Sequence, residues 1–209
     1  MSKLWIKICG ITCNSDATAA ADFGADAIGL VFYSPSPRAV VAENVAEIVA
    51  GVSGRIEIVA LFVDPSEAEV RNVLATNAVS LLQFHGQESE AFCKSFAMPY
   101  LKAVAVKDDG SIARIIDDYP SAEMLLLDSY NKKAPGGTGT AFDWEIGESI
   151  SEASSKKIVV AGGLNPENVQ TAIRQIQPYG VDVSSGVEKS YGIKDLSKLK
   201  IFIEGARSV

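Results

Sequence analysis

Histidine is all but missing from this chain: His85 is the only one among 209 residues. Three cysteines accompany it, Cys9 and Cys13 as a C-x3-C pair and Cys93 far away. A zinc site therefore lacks ligands, and no metal is expected. Three is also an odd number for a disulfide framework, so reduced thiols in a cytosolic setting are the expectation. Basic clusters are missing too. The 19 Lys and Arg are scattered among 26 Asp and Glu, for a net charge of −7. That excludes the concentrated positive surface by which nucleic acid is held. An acidic chain that binds an anion must do it locally, with helix N-termini and one or two placed cations. Long apolar runs are absent as well: Ala27 to Tyr33 is about a third of a membrane span. Met1-Ser2-Lys3 leads into a lysine-bearing strand rather than a signal peptide, so a cytoplasmic protein without a membrane partner is expected.

What is present is a globular composition, 47% apolar and 22% charged, which excludes disorder. One unit recurs: a β-branched run, a turn with Gly or Pro, then an amphipathic stretch. Strands are predicted at 5–9, 27–32, 57–63, 80–84, 100–106, 123–128, 157–161 and 181–184. Helices are predicted near 15–23, 42–52, 66–76, 88–96, 111–118, 144–154, 167–176 and 195–205. Asp64 and Asn165, each before a proline, read as helix caps, as does Asp143. Most strands are apolar on both faces, as strands covered by helices must be. Eight alternating units predict an α/β fold, a single (β/α)8 (TIM) barrel over residues 1–209; a doubly wound open sheet is the alternative. The Gly-rich connection 129–142 reads as a mobile lid centred on 130–141.

In such a barrel, chemistry gathers at the C-terminal strand tips. The first tip is Cys9, with Lys7 on the same face of the strand. A neighbouring ammonium would lower the thiol into the working range of a base. The alternative is a thiol that fills space, as Cys13 and Cys93 are expected to do. Lys7 faces the interior and needs a partner, which Asp182 on the eighth strand can supply. Asp128 emerges from Leu125-Leu126-Leu127, where desolvation favours the neutral, proton-donating carboxyl; the alternative is a cap or a salt bridge. Gly162-Gly163 and Ser184-Ser185-Gly186, at adjacent tips, suit a phosphate better than two mere turns do. Arg38, behind two prolines, has a fork that fits a carboxylate, though a loop arginine is ordinarily just solvated. His85 is either a second acid or base or a hydrogen-bonded scaffold residue.

Seven segments together resemble the phosphoribosylanthranilate isomerases of tryptophan biosynthesis. They are KICGIT at 7–12, SPR at 36–38, QFHG at 83–86, LLDS at 126–129, GGTGTAFDW at 136–144, AGGLNPENV at 161–169 and VDVSSGVE at 181–188. The resemblance implies a barrel catalysing an Amadori rearrangement of an aminoaldose phosphate, with no cofactor and a phosphosugar–anthranilate conjugate as its small-molecule partner. It implies Cys9 as base, Asp128 as acid, Arg38 as the anchor of the anthranilate carboxylate, and both Gly/Ser turns as the phosphate site. Lys7, His85 and Asp182 are expected as further substrate-binding residues; the assembly is expected to be a monomer or a homodimer. An isomerase of histidine synthesis would carry an aspartate where Cys9 stands, and a metal-dependent epimerase would need more ligands than one His affords. A phosphate-binding module without turnover is the remaining alternative, since fold does not dictate function.

Overall fold

Strand β1 (Trp5–Cys9) shows how the chain builds itself. Ile6 and Ile8 face outward into the helix layer, while Trp5, Lys7 and Cys9 face inward, and all five are buried. The structure, a computed structural model, describes residues 3–106, 117–129 and 156–209. The helices expected at 111–118 (apart from Asp117 and Asp118) and 144–154, Asp143, and the connection 130–141 lie outside the described residues.

Seven further parallel strands follow: β2 (Ala27–Phe32), β3 (Glu57–Phe62), β4 (Leu81–Phe84), β5 (Tyr100–Val106), β6 (Met124–Ser129), β7 (Lys157–Val160) and β8 (Gly180–Val183). Each pairs with its neighbour in chain order, and β1 pairs with β8, Lys7 opposite Asp182. The sheet is therefore closed, and the open doubly wound alternative is overturned. Val59, Leu81, Leu101, Leu126 and Val159 fill the interior. Burying each such side chain contributes ~1.5–3 kcal/mol. Helices α1 (Asn14–Phe23), α2 (Val45–Ile48), α3 (Glu67–Leu74), α4 (Glu90–Lys94), α5 (Val169–Ile176) and α6 (Leu196–Arg207) cover the outside. No helix among the described residues is long and apolar enough to cross a membrane.

Several local readings are corrected. The helix expected over 42–52 is a 3-10 turn (Ala42–Asn44) running into four-residue α2. Valines 45, 49 and 52 are buried there, but β-branched residues restrict χ1 in a helix, and Gly51 at φ 75° ends the stretch. Asp64 does not cap α3. Ser66 does, its Oγ accepting from Glu69 N while the Glu69 carboxylate accepts from Ser66 N, a complete capping box. Asp64 instead sits at φ 48° and accepts from Gln87 N. Asn165 caps a turn ahead of α5, accepting from Glu167 N and Asn168 N, so the helix begins at Val169.

The sequence reading missed a hairpin after β8. It comprises β9 (Glu188–Ser190) and β10 (Ile193–Lys194), antiparallel around Tyr191-Gly192. Its five strand residues are too few to show periodicity, and Gly192 at φ 75° is its sole local signal.

Candidate active site

The closed barrel brings all but one of the expected residues to a single cavity of about 630 Å³ at the C-terminal mouth. Cys9, Arg38, His85 and Asp128 line it, with Gly162-Gly163 and, from the adjoining strand, Asp182 and Ser184-Ser185-Gly186. Lys7 is the exception. It is fully buried below the floor, its Nζ 2.9 Å from Asp182 Oδ1. A larger hollow of about 740 Å³ lies at the opposite rim, around Trp5, Glu57 and Lys157. Polar groups there already have partners, Lys157 in Glu123 and Glu57 in the Trp5 Nε1–H donor. The mouth, with its convergent acid, thiol and arginine, is the site.

Space for the thiol is made by the neighbouring strand. A Cβ on Gly29 of β2 would lie 2.8 Å from Cys9 Sγ and 3.0 Å from Lys7 Cε, so only glycine fits. Cys9 is 5% exposed, and its thiol is not lowered as the lysine alone would suggest. Burial pushes it up, and although Lys7 and Lys194 pull it down, Asp182 opposes them; the thiol ends above its ordinary value. Lys7 is pulled down by burial but raised more by Asp182 and Cys9, so it stays charged.

Asp128 is buried at the tip of β6, and its Oδ2 lies 3.3 Å from His85 Nε2. On the other edge of the imidazole, Gln83 Nε2 is 3.1 Å from Nδ1. With the amide nitrogen facing Nδ1, that ring nitrogen accepts and Nε2 carries the proton toward Asp128. Gln83 is fully buried, and its Oε1 has no partner among the described residues. His85 is thus tied to Asp128 and Gln83 rather than standing alone.

Arg38 departs most from expectation. It is not a solvated loop residue but 8% exposed, and its fork already holds a carboxylate of the protein itself. Nε and Nη2 donate to Glu188 Oε1 and Oε2, both at 2.7 Å. The guanidinium also lies 5.4 Å from the centroid of the Tyr191 ring, which is itself largely exposed. Glu188 takes a third bond, from Lys194 Nζ at 3.0 Å. Burial alone would push Glu188 up, but hydrogen bonds from Arg38 and the charge of Lys194 hold its carboxyl below the ordinary range.

The two turns proposed for phosphate meet at the seam between β7 and β8. Gly162 and Gly163 both take positive φ (83° and 69°), a conformation that favours glycine. Gly186, in the 3-10 turn Ser185–Val187, packs against them so closely that a Cβ would lie 1.9 Å from Leu164 O.

Known proteins share this fold and much of this sequence. A family model described as N-(5'phosphoribosyl)anthranilate (PRA) isomerase matches residues 6–205. An N-(5'-phosphoribosyl)anthranilate isomerase of Pseudomonas fluorescens (strain Pf0-1) is 49% identical over 207 residues, 99% of this chain and 100% of its own. The chain belongs to the PRA isomerase family. The crystal structure of the Thermotoga maritima PRA isomerase superposes with a TM-score of 0.90 at 34% identity, covering 99% of this chain and 100% of that one. Another PRA isomerase structure, solved with reduced 1-(o-carboxyphenylamino)-1-deoxyribulose 5-phosphate, gives 0.86 at 33% identity, with coverage of 99% and 100%. In this PRA isomerase family member, the residues that sequence reasoning passed over are Gln83, Glu188, Tyr191 and Lys194. Only Gln83 and Glu188 had a signal, each lying in a motif segment without having been singled out.

Proposed function

We propose that the chain catalyses the Amadori rearrangement of N-(5′-phosphoribosyl)anthranilate to 1-(2-carboxyphenylamino)-1-deoxyribulose 5-phosphate, a step of tryptophan biosynthesis. Family membership supports the reaction. The observation that carries the assignment of roles is one cavity lined by a thiol, a carboxyl group, an arginine and two Gly/Ser turns.

The furanose opens first. Asp128 donates a proton to the ring oxygen as the C1′–O4′ bond breaks, while the anthranilate nitrogen supplies its electron pair to C1′. The iminium so formed acidifies the C2′ proton, and the Cys9 thiolate removes it to give an enolamine. Protonation at C1′ and loss of the O2′ proton then yield the ketone, so hydrogens move within the molecule and nothing is consumed. Acid and base groups of this kind each supply ~10²–10⁴-fold. Arg38 anchors the anthranilate carboxylate through Nη1, which its pair with Glu188 does not use, and the turns at Gly162-Gly163 and Ser184-Ser185-Gly186 hold the phosphate. Lys7 and Asp182 form the charged floor under the thiol, and His85 holds the Asp128 carboxyl.

The chain works as one catalytic domain in the cytoplasm, where its three free cysteines stay reduced. Its assembly is a monomer or a homodimer; the Thermotoga maritima relative is a dimer from which monomers have been generated. The test is direct: form the unstable substrate from anthranilate and a phosphoribosyl donor, then add protein and follow anthranilate fluorescence. Accelerated loss of signal that depends on Cys9 and Asp128 is expected. Phosphate binding without turnover would leave only a binding module.

A further inference from the structure

Lys194 is a buried charge that the chemistry above does not use. It sits on β10 at 1% exposure, behind the mouth rather than in the cavity lining. Its main chain is fixed first: Asp16, in the first turn of α1, accepts at Oδ2 from Lys194 N at 2.8 Å. The ammonium then donates in three directions. Cys9 O accepts at 2.7 Å, Ser184 O at 3.1 Å and Glu188 Oε1 at 3.0 Å. An ammonium has three donors, and all three are used. Their acceptors belong to the strand tip bearing the thiol, the loop of the phosphate turn, and the carboxylate that grips Arg38.

We propose that Lys194 is a positioning residue for the isomerase reaction, clamping the tip of β1 to the β8 loop and, through Glu188, fixing Arg38 at the cavity wall. The proposal rests on the roles given above to Cys9 and Arg38. Stability does not explain the choice, because apolar residues of similar volume often replace buried ion pairs without loss. Register does. One substrate must meet a base, an anion cradle and a carboxylate anchor at once, and a misplacement of about 1 Å costs ~10²-fold.

The clamp also brings charge to the thiol. Cys9 is faced by Lys7 on its own strand, Asp182 on β8, Lys194 with its partner Glu188 on the hairpin, and Arg38 on the β2 loop. His85 and Asp128 line the same cavity. Removing Lys194 takes away one of the cations that oppose Asp182, and the thiolate becomes harder to form.

The experiment compares Lys194→Met, Lys194→Gln and Val70→Ala, the last a core cavity in α3. Initial rates are measured across pH, and alkylation of Cys9 by iodoacetamide is followed across pH by peptide mapping, which separates it from Cys13 and Cys93. Lys194→Met should lose ~10²-fold or more in kcat/KM, with KM raised as well as kcat lowered. Its Cys9 alkylation curve should move up by about one pH unit. Lys194→Gln keeps N–H donors without the charge, although on a shorter side chain, so it should fold if Lys194→Met does not. It should show the same alkylation shift with a smaller loss of rate. Val70→Ala should melt earlier with both pH profiles in place. If folded Lys194 variants match Val70→Ala in rate and alkylation, the proposal is overturned. Because alkylation reads the thiol without turnover, an inactive wild-type protein would sink the isomerase reading, while a shifted curve would still sustain the clamp.

Discussion

The two ends of the barrel use the same residue types in opposite ways. At the foot, ion pairs sit in solvent: Lys3 with Asp26 at 2.7 Å, Arg55 with Asp22 at 2.6 Å and Lys157 with Glu123 at 2.5 Å. Such pairs are each worth ~0–1 kcal/mol. At the mouth, Lys7–Asp182, Arg38–Glu188, Lys194–Glu188 and Lys102–Glu88 are buried almost completely. Desolvating such charges costs several kcal/mol per ion, so they are poor devices for stability alone. Each of them holds a strand tip or a loop beside the cavity. Lys102, for instance, donates to Phe84 O and Gly86 O on either side of His85. Buried charge in this fold marks where geometry matters, and exposed charge marks where only solvation does.

Substitutions at the two ends put that contrast to the test. The largest effect should come from Cys9→Ala and Asp128→Asn, each lowering turnover at least ~10²-fold while thermal melting barely moves. Wild-type kcat/KM should climb with pH across neutrality, because burial holds the thiol above its ordinary value; the rate left in Cys9→Ala should lack that climb. Next is Glu188→Gln, which strands two buried cations and should cost ~3–5 kcal/mol in urea unfolding. The sign follows from its depressed carboxyl. The stability it contributes is present above its ordinary value of 4.5 and is lost as pH falls through the lower folded-state value, so the variant should lose less than wild type on acidification. Arg38→Ala should raise KM by an amount equal to ~1.5–3 kcal/mol of a charge-assisted contact, with kcat less affected. Smallest is Lys157→Ala at the foot, expected within ~1 kcal/mol in stability and silent in kinetics. Were it to cost as much as Glu188→Gln, the distinction between the ends would vanish.

Much of the barrel was legible because its signals are local. Period-two alternation in KICGIT put Lys7 and Cys9 on one face, and strand order made Asp182 the neighbour of Lys7. The Cys9, Asp128, Gly162 and Ser184 tips followed from where the strands ended. What escaped was non-local. Arg38 and Glu188 are 150 residues apart, and nothing near either one names the other. Asp16 reads as an ordinary first-turn acid, and only the folded chain turns it toward Lys194. The thiol was misjudged for a related reason: sequence displays the nearby lysine but not the burial that outweighs it.

Closure of the ring has a consequence for synthesis. Residues 5–9 are made well before one of their two partners, 180–183, since Lys7 and Asp182 are 175 residues apart. Until then β1 and β7 each present a bare hydrogen-bonding edge, the kind of surface that invites wrong pairing between nascent chains. The hairpin comes later still, so the working mouth appears all at once, when residues 188–194 have emerged, rather than piece by piece.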